Sequence, residues 1–424
     1  MTGPPDLSAP LAINGKLRVA NRIVKAATAE GLAEIGNDPG QELIDLYRRW
    51  ARGGAGLLIT GNAHVDRRFR ERASSLVLDD QSDRDAFRAL TTATHRENTP
   101  ILIQLNHPGR QCPATIAPRP LAPSAEQPLF RWSGYGRSQA MTPAHIDEVI
   151  AAFTRSARLA MECGFDGVQV HAAHGYLISA FLSPRHNNRY DTYGGSLVNR
   201  ARLLVEIVAG IRRIAPPTFL IAVKLNVSDF ERGGFELEEA LEVARLVEQA
   251  GADCLETSGG TYRELVTALR TEGAVDAGQA GKERTTFADF SARLSAQIRI
   301  PIILTGNIRS RAGMDSALAS YGAAMIGLAR PFCVDSAVAA RLLDGGIADL
   351  DELPTPIFRS PRWWGPRSPI RRIRRYSAFA EMAWYAEQLR MLAKGERIDR
   401  ALSPHAALKQ MAARDRQFIN ATVP

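Results

Sequence analysis

Cysteine is scarce. The chain has four in 424 residues, Cys112, Cys163, Cys254 and Cys333, and no two form a CxxC pair. This argues against a disulfide framework and leaves a cysteine-held zinc or iron–sulfur centre without its usual ligand spacing. A reducing, cytoplasmic setting is the expectation. No apolar run reaches the roughly 18 residues of a membrane span, and the leading MTGPPDLSAPLAING has neither the basic nor the apolar block of a signal peptide. No internal repeat or low-complexity segment occurs. A GxGxxG phosphate fingerprint after the first strand, the mark of a doubly wound dinucleotide fold, is also missing. What remains is an ordinary globular composition, 45% hydrophobic and 23% charged.

Charge is unevenly spread. The formal net charge is +8, yet residues 351–424 alone carry 14 Lys/Arg against 7 Asp/Glu. Their basic run, RSPIRRIRR at 367–375, could meet an anionic surface, but no nucleic-acid module accompanies it. The expectation is a basic extension (351–424) that packs on the preceding unit (1–350) or on a partner subunit in a homo-oligomer, with no nucleic acid bound.

Short Val/Ile/Leu-rich runs alternate with helical patterns from end to end. Predicted strands are Arg22–Ala26, Gly56–Gly61, Pro100–Leu105, Gly167–His171, Phe219–Leu225, Asp253–Thr257, Ile302–Thr305 and Ala323–Gly327. Predicted helices include Gln41–Ala51, Asp83–His95, Pro143–Cys163, Asn199–Ile214, Leu237–Ala250, Phe287–Ile298 and Arg311–Tyr321. Continuous apolar strands joined by helices mean a parallel sheet covered on its outside. Eight such units predict an α/β fold, the (β/α)8 TIM barrel. Residues 106–141, rich in proline and holding Phe130, Trp132 and Tyr135, form a long loop after the third strand, read as a lid.

Active groups in such a barrel sit at the C-terminal strand ends. The densest cluster there is His171-Ala-Ala-His174-Gly-Tyr176. It reads as packing histidines, as a metal site completed by Asp229 or Glu256, or as an anchor for a substrate oxygen with Tyr176 as proton donor. Gln104 ends the third strand and offers both donor and acceptor, as the edge of a flavin ring does. Lys224 ends the fifth, where a buried cation needs an anion: a reduced flavin, or a carboxylate such as Asp229. Gly306 and Arg330 end strands seven and eight, where barrels commonly bind phosphate.

Longer strings then carry a resemblance: NRIVKA (21–26), GGAGLLITGN (53–62), ILIQLNHPGRQ (101–111), GFDGVQVHAAHGYLISAFLSPRHNNRYDTYGGSLVNRARL (164–203), KLNVSDFERGGF (224–235), ILTGNIRS (303–310) and GLARPF (327–332). The chain resembles the Old Yellow Enzyme family of FMN-dependent NAD(P)H oxidoreductases from about Leu11 to Leu343. The resemblance implies that His171 and His174 hold the substrate oxygen and that Tyr176 protonates the substrate α-carbon. It implies that Gln104 meets the pyrimidine edge of FMN and Lys224 its N1–C2=O side. Gly306, Asn307, Ala329 and Arg330 would bind the phosphate, while Ala27, Thr28, Ala29 and Asn62 would line the ring. Trp132 of the lid is expected to shape the substrate pocket.

Three departures stand out. Ala29 occupies the position where relatives carry Thr or Cys beside flavin C4=O, Ala27 replaces a proline, and Lys224 replaces an arginine fork with a point charge. The implied activity is ping-pong reduction of activated C=C bonds, enones or nitroalkenes, with electrons from NADH or NADPH through FMN. The competing reading is an oxidative flavoenzyme of the same fold, a dehydrogenase or a demethylase without an iron–sulfur cluster.

Overall fold

The computed structural model describes residues 6–127, 134–259, 287–306, 308–358 and 362–422. Eight parallel strands form a closed ring: β1 (Ile23–Lys25), β2 (Leu57–His64), β3 (Ile101–Asn106), β4 (Gly167–Ala172), β5 (Leu220–Asn226), β6 (Cys254–Ser258), β7 (Ile302–Thr305) and β8 (Met325–Leu328). Neighbours in sequence are neighbours in space. Closure comes from β8 pairing β1 (Ile326↔Ile23) and β1 pairing β2 (Val24↔Leu57). The TIM barrel expected from the sequence is the fold observed.

The strands read as apolar runs because both their faces are buried. Inward side chains Val24, Leu57, Ile59, Leu102, Leu220, Ala222, Cys254, Ile303 and Met325 fill the barrel. An N-terminal hairpin, Leu11–Ile13 with Leu17–Val19, adds Ile13 and Val19 to that interior core. Outward residues pack against helices α1 (Gln41–Arg52), α2 (Arg84–His95), α3 (Pro143–Glu162), α4 (Leu197–Ile214), α5 (Leu237–Gln249), α6 (Phe287–Ser295), α7 (Arg311–Ser320) and α8 (Val338–Leu343).

Helix starts follow from local chemistry. Asp83 caps α2 by accepting from the Asp85 and Ala86 N–H groups, and Ser196 and Ser310 cap α4 and α7 in the same way. Thr142 and His145 make a reciprocal capping box at α3, with Pro143 in its first turn.

Two elements continue past the barrel, α9 (Arg371–Lys394) and α10 (Pro404–Thr422). They pack on each other, and α9 lies on α1 and on the short helix Arg330–Val334 after β8. The apolar spacing at Trp384–Lys394 therefore marks only the second half of a longer helix, and α10 had no sequence expectation. Ala380, Ala383, Trp384, Leu389 and Ala393 are buried in this packing, so the tail sits on its own barrel. The basic run opens α9, and Arg374 turns back to donate to the Ser368 and Pro369 carbonyl oxygens. The lid is not wholly irregular: Gly109–Gln111 forms one 3-10 turn, and Leu121–Ala122 pairs with Gln139–Ala140. Among the described residues, no helix is long and apolar enough to cross a membrane.

Candidate active site

Strand register brings four polar side chains together inside the barrel. Gln104 of β3 lies opposite Gln169 of β4, and Lys224 of β5 opposite Glu256 of β6. Gln104 Nε2 donates to Gln169 Oε1 at 2.6 Å, and Gln169 Nε2 to Glu256 Oε2 at 2.7 Å. Lys224 Nζ donates to Glu256 Oε1 at 2.8 Å. All four are buried. The anion balancing Lys224 is thus Glu256. Asp229 instead caps its own loop, accepting from Asn226 Nδ2 and the Phe235 N–H at 3.0 Å each. The signal for Glu256 was a lone carboxylate within the apolar strand CLETS.

The histidine cluster stands at the end of β4. The Ala173 N–H donates to His171 Nδ1 at 3.2 Å, which leaves the hydrogen of a neutral ring on Nε2, 3.3 Å from His174 Nδ1. That in turn assigns the His174 hydrogen to Nε2, 2.6 Å from Ser258 Oγ. Both rings are neutral at ordinary pH. Burial, with His174 and Lys224 nearby, holds His171 well below the usual imidazole range, and burial beside Lys224 takes His174 down to about 3.

His174 has φ +61°, a left-handed conformation that costs a branchless polar residue about 1 kcal/mol or more. Its N–H donates to Asn226 Oδ1 at 3.2 Å, and its carbonyl accepts from Gln111 Nε2 at 2.7 Å, which hold the turn in place. Neither ring is bound to Asp229. Among the described residues no group of three or more His, Cys, Asp or Glu is placed to hold a metal.

Tyr176 sets its ring edge-on to His171, 4.8 Å between centroids. Its hydroxyl donates to Glu71 Oε2 and accepts from Asn62 Nδ2 at 3.1 Å, and the same Asn62 nitrogen reaches Glu71 Oε1 at 2.9 Å. Sequence reasoning missed Glu71. It lies in RRFRER, a charged stretch that reads as solvated surface, yet it is only 6% exposed.

The loop after β1 lies against β2 because residue 61 is glycine: a Cβ there would run into the Thr28 carbonyl and the Glu30 carboxylate. The Thr28 hydroxyl is engaged with Glu30 at 3.0 Å, as are the Tyr47 hydroxyl and the buried Lys25 ammonium. Ala27 is half-buried and Ala29 exposed; Ala29 lines one small gap together with Asn62 and Glu71.

At the other end of the site, Gly306 adopts φ +115°, open to glycine alone. Ala329 precedes the helix that Arg330 starts, and Arg330 Nη1 lies 3.8 Å from Glu381 Oε1 of α9. Asn307 and Trp132 lie outside the described residues. Arg110 of the lid is buried against Glu126 (2.6 Å) and His186 (3.1 and 3.0 Å). Arg119 and Arg137 remain exposed.

Comparison with known proteins places the chain in a family. The profile of the NADH:flavin oxidoreductase / NADH oxidase family matches residues 6–347. The chain belongs to this family. It is 34% identical over 418 residues to the NADH-dependent flavin oxidoreductase iliE of Neonectria sp. (strain DH2), covering 93% of the chain but only 52% of that protein. It is 33% identical to the iliE protein of Hypocrea jecorina (strain QM6a), covering 77% of the chain and 86% of that one. The old yellow enzyme homologue from Zymomonas mobilis superposes with a TM-score of 0.69 at 24% identity, over 81% of this chain and 94% of its own, which shows a shared fold.

Membership makes FMN the cofactor and NAD(P)H the reductant against which the site is read. The residues present fit FMN. The strand ends offer an amide (Gln104), a cation (Lys224) and a positive-φ glycine turn (Gly306), the donor types a flavin ring and a phosphate would use. The buried Asn62 Oδ1 and Thr305 Oγ1 have no hydrogen-bond partner among the described residues.

Proposed function

We propose that the chain is an FMN-dependent oxidoreductase that draws electrons from NADH or NADPH and reduces activated C=C bonds in a ping-pong cycle, in the reducing cytoplasm that suits its four free, buried cysteines. The observation that carries this reading is the His171–His174–Tyr176 cluster, with neutral imidazoles and a hydrogen-bonded phenol beside the Gln104–Lys224 layer.

Bound FMN supplies a two-electron hydride acceptor and donor. Gln104 and Lys224 would hold its pyrimidine side, Ala27, Thr28, Ala29 and Asn62 would line its ring, and Gly306, Asn307, Ala329 and Arg330 would take its phosphate. A carbonyl or nitro oxygen entering between the histidines would draw the His171 Nε2–H away from His174, and a turn of the His174 ring would give it a second donor. Two neutral N–H donors polarise the oxygen by hydrogen bonding. Tyr176 then gives its proton to the α-carbon, and Trp132 would close the pocket.

Charge favours this direction over the oxidative one. Glu256 offsets the Lys224 ammonium at 2.8 Å, which weakens the stabilisation of an anionic reduced flavin, and Ala29 supplies no side-chain hydrogen bond to C4=O. Both make a reduced flavin the stronger donor.

The test is anaerobic stopped-flow of FMN-loaded protein with NADH or NADPH, then 2-cyclohexenone, in wild type and Tyr176→Phe. Bleaching near 450 nm followed by reoxidation is expected in the wild type. Tyr176→Phe should keep the bleaching and lose roughly 10²–10⁴-fold in reoxidation. Equal losses in both halves would remove the proton-donor role. Bleaching absent with both nicotinamides would turn the reading to oxidation of an organic donor.

A further inference from the structure

We propose that Glu71 holds the proton that Tyr176 hands on, and that this carboxyl is refilled from solvent behind the site, through a passage that ends under the tail helices. The proposal rests on the alkene-reductase reading above. Three observations meet here. Glu71 is buried, with Tyr176 Oη on one carboxylate oxygen and Asn62 on the other. Ala29, Asn62 and Glu71 border a gap of about 10 Å³, the room of a single water, also lined by Glu30–Ala33, Arg72 and Ser74. The same Glu30–Ala33, Arg72 and Ser74 form one side of a cavity of about 370 Å³, whose opposite side is Glu387 and Arg390 of α9 and Met411, Arg414 and Asp415 of α10. Arg72, paired with Asp415 at 3.3 Å, lines both spaces.

The phenol hydrogen lies toward Glu71 and away from any substrate. With Glu71 protonated the bond reverses: the carboxyl O–H donates to Tyr176 Oη, and the phenol hydrogen faces the pocket. Once the β-carbon has been reduced, the Tyr176 Oη–H bond breaks and its proton joins the α-carbon. The Glu71 proton moves to Tyr176 Oη, leaving a carboxylate, and a proton from solvent restores the acid. Glu71 touches neither substrate nor cofactor in this scheme, so it is a positioning residue that acts through Tyr176. The titratable or charged groups facing it are Tyr176, His64 of β2 (whose Nε2 accepts the Glu71 N–H at 3.3 Å), Tyr135 of the lid, Arg72, and Glu30 across the gap.

The FMN-loaded full chain tests this by anaerobic reoxidation with 2-cyclohexenone. Glu71→Gln should keep flavin reduction by NAD(P)H and lose about a hundredfold in reoxidation, while Glu71→Asp should recover at least tenfold. A Gln variant with the wild-type rate overturns the proposal, as does an Asp variant no better than Gln. Ser74→Leu, which narrows the passage and leaves Glu71 in place, keeps the proposal falsifiable should Glu71→Gln lose its flavin. It should perform a first turnover at the wild-type rate and slow only afterwards, and undiminished steady turnover overturns the solvent route. Wild-type protein that enone cannot reoxidise defeats the underlying reading instead.

Discussion

Between β3 and β6 the barrel interior answers its own polar demands: two amides, a carboxylate and an ammonium form one chain of bonds from 2.6 to 2.8 Å, all buried. At β7 and β8 the arrangement is different. Arg330 is about a third exposed, its carboxylate neighbour Glu381 comes from the tail, and the two stand 3.8 Å apart. The inner end is built on facing strands whose register is fixed on both sides, so its side chains are in place before any ligand arrives. The outer end is finished by an element from beyond the barrel and keeps a partly exposed charge. In a flavin site, the first arrangement sets electronics and the second sets retention.

The comparison would break most plainly at Glu256. Glu256→Gln leaves Lys224 buried without its counter-charge, and the ligand-free protein should lose about 3–5 kcal/mol of stability in denaturant titration. FMN should return part of that loss. A change below about 1 kcal/mol would mean that the inner layer is not held by this pair.

Acid probes the inner end next. Burial takes His64 and His174 down to about 3 and His107 to about 4, against 6.5 for a free imidazole, with His171 also well below. The unfolded chain therefore binds protons first as pH falls. Stability should be level above pH 6.5 and decline below it, by up to about 1.4 kcal/mol per pH unit for each such ring. Melting temperatures at pH 7.5, 6.5 and 5.5 check the sign; a rise on acidification would contradict it.

The smallest effect belongs to the outer end. Glu381→Gln removes a carboxylate near Arg330, the proposed phosphate ligand, and should tighten FMN binding two- to fivefold, within the about 1 kcal/mol of a partly exposed pair. Burial raises the Glu381 carboxyl, so the gain should grow with pH as the wild-type side chain becomes charged. Flavin-fluorescence titration measures it, and weaker binding by the variant would give Glu381 the opposite role.

The barrel was legible because a strand buried on both faces must be an uninterrupted apolar run, and because Asp83, Thr142, Ser196 and Ser310 mark helix starts through bonds made within three residues. The His–His–Tyr trio was legible because one strand end carries it. The carboxylates were not. Glu71 meets Tyr176 across 105 positions, and Glu256 meets Lys224 across 32. No periodicity records what lies opposite a side chain in a closed ring. Tail helix α10 was missed for a related reason: its apolar residues answer to α9, and a single-sequence pattern shows no partner.

The order in which the chain is made gives the tail contact a further consequence. All eight strands leave the ribosome before Glu381 does, so a nascent barrel presents Arg330 before the tail carboxylate can stand near it. Cofactor that loads early would meet an anion site not yet tempered by Glu381, and docking of α9 would then trim that grip. Translation would thus divide loading from holding, with the tail deciding how readily a finished molecule exchanges its flavin.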